Sequence, residues 1–145
     1  MLTKIAVYCL LYPLSLLPMA ILYGVAKIIY LVLYQLIRYR INVTRTNLKN
    51  SFPTFSRSKL KQIEKAYYVH LCNLFVEGVK MLSISRKELM KRYRCKNPEL
   101  VNQYFEQKKS VILMSSHYNN WEWMVLSLAM QFKHHGIGVG KENSN

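Results

Sequence analysis

The sequence predicts an α/β domain behind a separate apolar segment, and three observations carry that reading. Residues 5–37 are apolar almost throughout. Over residues 58–81 and just beyond, the apolar positions Leu60, Ile63, Tyr67, Leu71, Leu74, Phe75, Val79 and Leu82 step by three and four, the period of an amphipathic helix. Farther on, the run Val111-Ile112-Leu113-Met114 passes directly into Ser115-Ser116-His117-Tyr118-Asn119-Asn120-Trp121-Glu122-Trp123. That stretch reads as a buried parallel strand, apolar on both faces, ending in a loop where a helix begins.

The first segment is a membrane anchor by length and composition. About 20 apolar residues span a bilayer, and residues 5–37 exceed one straight crossing. Pro13, Pro18 and Lys27 interrupt the run. Two layouts fit. In one, a helix over residues 19–37 crosses the membrane and residues 2–17 lie along the interface. In the other, the prolines fold the segment into a shallow hairpin that enters one leaflet. A lysine at mid-depth costs on the order of 3 kcal/mol, which favours the hairpin. A cleaved signal peptide does not fit, because the apolar part is too long and no A-x-A site follows. The chain therefore divides into an anchoring segment, 1–37, and a following cytoplasmic domain region, 38–145.

Charge narrows the partners. The chain of 145 residues carries 21 Lys+Arg against 7 acidic residues, all of them Glu, for a net charge of +14. Such a balance points to nucleic acid or to an anionic membrane surface. The apolar segment decides for the membrane, and no recognition helix, zinc motif or stacking platform supports nucleic acid. Arg38, Arg40, Arg45, Lys49, Arg57, Lys59 and Lys61 come before the first acid, Glu64. By the positive-inside rule this block holds the following domain on the cytoplasmic side, and it attracts anionic headgroups. Cys9, Cys72 and Cys95 lack C-x-x-C spacing and read as reduced thiols. No metal-ligand cluster is present, and His134-His135 reads as a solvated pair.

The remaining elements follow in order. Ser56 or Ser58 opens the helix over 58–81. Ser85 and Glu88 stand at capping-box spacing and start a second helix. Residues 91–95 alternate as a short strand does. Pro98 starts a helix over 99–107, and Lys108-Lys109 leads into a strand over 110–115. A helix over 121–130 and a strand over 137–139 complete a helix–strand alternation typical of α/β folds. In such folds ligands bind at the carboxyl ends of the strands, which places the histidine loop at the expected site.

His117 and Glu122 are the candidate catalytic pair. A carboxylate beside an imidazole sets its tautomer and stabilises the imidazolium formed when the other nitrogen takes a proton. Such a pair deprotonates a hydroxyl for attack on an activated acyl group. On one continuous helix, five residues turn through about 500°, and the two side chains diverge by about 140°. The pair therefore requires His117 before the helix and Glu122 in its first turn, with Asn119 or Asn120 as N-cap. The helix dipole then favours an ionised Glu122. On spacing alone the pair is a weak signal; its flanking residues strengthen it.

Those residues carry a resemblance. The blocks Asn47-Leu48-Lys49-Asn50-Ser51-Phe52-Pro53 and His70-Leu71-Cys72-Asn73-Leu74-Phe75-Val76-Glu77, the Asn97-Pro98-Glu99 corner, and residues 110–123 with their His-x-x-x-x-Glu motif are shared features. Together with the apolar start, the chain resembles the N-terminal half of the lipid A biosynthesis (late) acyltransferases, in the form common among Bacteroidota. The resemblance implies an inner-membrane enzyme with no cofactor. It would transfer a fatty acyl chain from acyl carrier protein to a hydroxyl of a lipid A precursor. It makes His117 the general base and Glu122 its charge partner, and it has Asn120 and Trp121 shape the substrate-binding loop. Family members are considerably longer, so the resemblance also implies a truncated form with little activity alone. A different glycolipid or aminolipid acceptor, or a non-catalytic module that binds anionic membranes, stays open at this point.

Overall fold

A computed structural model describes residues 7–133. They belong to two compact units, Met1–Ile84 and Ser85–Asn145. Among the described residues all regular structure is helical.

In the first unit, α1 runs over Val7–Leu16, its opening turns Val7–Leu11 wound as a wider π-helix. It stops because Pro18 disfavours helical backbone at the residue before it, and Leu17 is extended with φ −61° and ψ 148°. Helix α2 then runs over Met19–Leu36, its last part Leu31–Leu36 again wound as π-helix. Arg38 and Arg40 both take left-handed backbone, φ 56° and 50°, and turn the chain into α3, Ile41–Ser51. Helix α4, Arg57–Lys80, starts at Ser56, whose side chain accepts the Lys59 N–H at 3.2 Å. This is the N-cap expected of that residue.

The core of this unit is the seam between α2 and α4. Met19, Leu22, Ala26 and Tyr34 are buried on α2, and Tyr68, Cys72, Val76 and Val79 on α4. Both sets recur at helical spacing, so one stripe of each helix meets the other. Tyr34, Ile41 and Tyr68 form a cluster flanked by Tyr30 and Leu71. The Tyr34 ring stands 5.2 Å from Tyr30 and 4.9 Å from Tyr68. Burial of Ile41 in this cluster explains α3, an element that the basic composition of residues 38–57 does not announce.

In the second unit, α5 is Arg86–Arg92, α6 is Glu99–Glu106 and α7 is Trp121–Gln131. Ser85 caps α5 by accepting the Glu88 N–H at 3.2 Å. Glu88 turns outward to Arg92, 2.7 Å away, so only half of the expected capping box forms.

The α/β expectation is overturned: no strand or sheet forms among the described residues. Residues 93–95 leave α5 as irregular chain, and residues 110–115 are irregular too. A strand exists through its ladder partners, and neither segment has one here. The backbone of 93–95 is instead satisfied by side chains of α7. Ser127 Oγ donates to the Tyr93 carbonyl at 2.7 Å, Gln131 Nε2 donates to the same carbonyl at 3.2 Å, and Gln131 Oε1 accepts the Cys95 N–H at 2.8 Å. The run at 111–114, read as a buried strand, leaves Ile112 and Met114 89% and 94% exposed. The strand expected over 137–139 and the His134-His135 pair lie outside the described residues.

Candidate functional site

The histidine motif is organised by the start of α7. Asn120 is the N-cap: its Oδ1 accepts the Trp123 N–H at 3.0 Å, and the residue is buried. That bond satisfies one of the free amides of the first turn. Asn119, at φ 55°, occupies the left-handed region that asparagine tolerates better than most residues, and so bends the chain into the cap. Trp123 is buried below, with the Arg92 guanidinium 6.0 Å from its ring.

His117 lies in the loop ahead of this cap and is exposed. Its ring meets the Trp121 ring edge-on, centroids 4.6 Å apart at 74°. Nearby, the Tyr118 N–H donates to the Ser116 carbonyl at 2.7 Å, and the Ser115 hydroxyl reaches Met124 Sδ at 3.3 Å. Glu122 is the second residue of α7 and is exposed. His117 thus precedes the helix and Glu122 stands in its first turn. Among the described residues no hydrogen bond or ion pair joins the two side chains. The contact made by the motif is His117 with Trp121, and Asn120 holds the helix start beneath it.

A second polar centre, unmarked by any motif, sits in the first unit. Glu64 is 2% exposed and accepts three side chains. Tyr34 Oη donates at 2.7 Å, Arg45 Nε at 2.7 Å and Lys61 Nζ at 2.8 Å. Burial by itself pushes the carboxyl upward, but the hydrogen bonds from Arg45, Lys61 and Tyr34 outweigh it and bring the pKa down to about 2. The same contacts raise the pKa values of Arg45 and Lys61. The sequence did hold a signal for this centre, since Glu64 is the first acid after a long basic block. Arg45 and Lys61 are consequently occupied, whereas the Arg38 and Arg40 side chains have no acidic partner among the described residues.

A helical N-terminal unit with an apolar helix near its start, and a histidine loop at a capped helix, are the structural features to set beside known proteins. The model of the bacterial lipid A biosynthesis acyltransferase family matches the chain over residues 1–145. The chain belongs to that family, whose members are membrane-associated acyltransferases. Searches of curated proteins and of solved structures find no match.

Proposed function

We propose that the chain serves the transfer of a fatty acyl group from the thioester of acyl carrier protein to a hydroxyl of a lipid A precursor, on the cytoplasmic side of the inner membrane. In this reading His117 takes the hydroxyl proton on one ring nitrogen. The oxygen attacks the thioester carbonyl, the tetrahedral intermediate collapses with departure of the carrier's thiolate, and an ester remains. Glu122 stabilises the imidazolium, and Asn120 and Trp121 shape the loop around the acceptor. The reading requires the His117 imidazole to leave the edge of Trp121 and meet Glu122 when acceptor is bound.

The observation that carries it is the placement of an exposed histidine directly ahead of a capped helix whose first turn bears a carboxylate, in a chain of this family. The net charge of +14 suits both an acidic carrier protein and a phosphorylated acceptor. The test is acyl transfer in membranes from acyl carrier protein to a lipid A precursor. It compares this chain, a fusion appending the C-terminal half of a longer family member, and the fusion with His117→Ala. Transfer that the substitution lowers by about 10²–10⁴-fold supports the reading. Transfer unaffected by it removes His117 from the chemistry.

A further inference from the structure

Helix α2, Met19–Leu36, is the one described helix long and apolar enough to cross a membrane, and length alone leaves open whether it does. Its neighbour decides. α2 is bonded to α4 near both ends: Tyr23 Oη donates to Glu77 Oε1 at 2.9 Å, and Tyr34 Oη to Glu64 Oε1 at 2.7 Å. Between those points the two helices share the buried seam. Beyond it, Lys80 Nζ donates to the Ser15 and Leu17 carbonyls at 2.8 and 3.0 Å, just ahead of α2. A crossing by α2 therefore takes α4 through the bilayer with it.

α4 cannot make that passage. A hydrocarbon core of about 30 Å needs about 20 apolar residues. The longest run of α4 without Lys, Arg or Glu is residues 66–76, about 16 Å of helix. It is bounded by Glu64 and Lys65 on one side and Glu77 and Lys80 on the other, and it contains His70 and Asn73. Charged and strongly polar side chains at membrane depth are costly.

The free face of α2 fits a different arrangement. At 100° per residue, Ile21 and Ile28 lie about 130° and 150° from the mean direction of Met19, Leu22 and Ala26. They are 51% and 63% exposed, and Leu31 and Leu36 are 47% and 75% exposed. Lys27 falls on the flank, about 80° from Met19, where a long side chain reaches the headgroup level. At the end of the helix, Arg38, Arg40 and Arg45 line an open cavity of about 340 Å³ together with the first turn of α3. Of the three, Arg45 alone is paired with a carboxylate among the described residues.

We propose that α2 lies in the plane of an anionic membrane surface, its Ile21, Ile28, Leu31 and Leu36 face entering one leaflet while Arg38 and Arg40 meet the headgroup phosphates. This is the amphipathic, monotopic mode of attachment. It rests on the membrane association of the family and is independent of the acyl-transfer chemistry.

The test uses the full chain in sealed inverted membrane vesicles, with Cys9→Ser and Cys95→Ser as background. Pro18→Cys and Tyr39→Cys place single thiols at the two ends of α2, and a membrane-impermeant maleimide reads which side each faces. Cys72, 1% exposed, remains as a folding control, since it reacts only where α2 and α4 separate. The expected result is labelling of both ends from the same face, with Ile28→Cys protected from both faces until detergent is added. Labelling of the two ends from opposite faces overturns the proposal and leaves the acyl-transfer assay to judge the function separately. In a second arm, Arg38→Glu with Arg40→Glu lowers sedimentation with vesicles containing phosphatidylglycerol about tenfold and leaves binding to pure phosphatidylcholine unchanged. Equal loss on both vesicle types, or no loss, overturns the headgroup role of the arginines. Failure of the unsubstituted chain to sediment with either vesicle overturns the membrane-surface reading as a whole.

Discussion

Tyr34 donates its hydroxyl to Glu64 across 2.7 Å, joining α2 to α4 at the point where Arg45 and Lys61 also converge on the same carboxylate. One buried acid thus ties together the apolar helix α2, α3 through Arg45, and the long amphipathic helix α4. A buried charge is tolerated only when its lone pairs are used, and here three donors use them.

The first prediction concerns acid. The Glu64 carboxyl titrates at about 2 in the folded chain, against an ordinary 4.5. The fold favours the ionised form, so the stabilisation is complete above about pH 4.5 and is lost as the pH falls through 2. It is worth on the order of 3 kcal/mol. Denaturant unfolding of the first unit between pH 6 and 2 should show this loss, and Glu64→Gln should flatten the profile while lowering stability near neutral pH by about 3 kcal/mol. A substitution without cost at pH 7 would remove Glu64 as the organising group.

The second prediction concerns the clamp before α2. Lys80 and Ser83 hold the Ser15 carbonyl, at 2.8 and 2.6 Å, and Lys80 also holds that of Leu17. Lys80→Met keeps the aliphatic stem and removes the donors, which costs about 2 kcal/mol. Amide exchange in α1 should accelerate while exchange in the middle of α4 stays slow.

The third prediction concerns the cap. Asn120→Ala removes the acceptor for the Trp123 N–H and costs about 1 kcal/mol, whereas Asn120→Asp, which caps equally well, should retain it. Exchange of the first-turn amides of α7 separates the two variants.

The fourth separates chemistry from folding at the histidine. His117 is exposed, and its contact is the edge of Trp121. His117→Ala should therefore change stability by less than about 0.5 kcal/mol. A large loss of acyl transfer in the same variant then reports on the reaction and not on the fold.

Local chemistry made much of this chain legible in advance. Ser56, Ser85 and Asn120 cap helices because their side-chain oxygens meet amides only three residues on. Pro18 ends α1 through its own ring. The spacing over 58–81 announced an amphipathic helix but not its buried face: Tyr67 and Phe75, read as part of the apolar stripe, are 45% and 56% exposed, and Tyr68, Cys72 and Val76 are buried together with Val79 instead. The same local rules put His117 before a helix and Glu122 in its first turn. They also failed in two ways. Alternation at 91–95 and an apolar run at 110–115 look like strands, yet strand formation depends on a partner far away in sequence. At Tyr93 and Cys95 the backbone found the side chains of Ser127 and Gln131 instead.

By itself the sequence determined the helices that begin near Ser56, Ser85, Pro98 and Asn120, and that an apolar segment and a basic block lie side by side. Those properties depend on periodicity and on hydrogen bonds closed within one turn. Tertiary structure alone decided that Glu64 gathers Tyr34, Arg45 and Lys61, that Arg38 and Arg40 have no acidic partner among the described residues, and that α2 is bonded along α4. Each of these depends on which distant groups come within hydrogen-bonding range, and that is settled only when the helices pack.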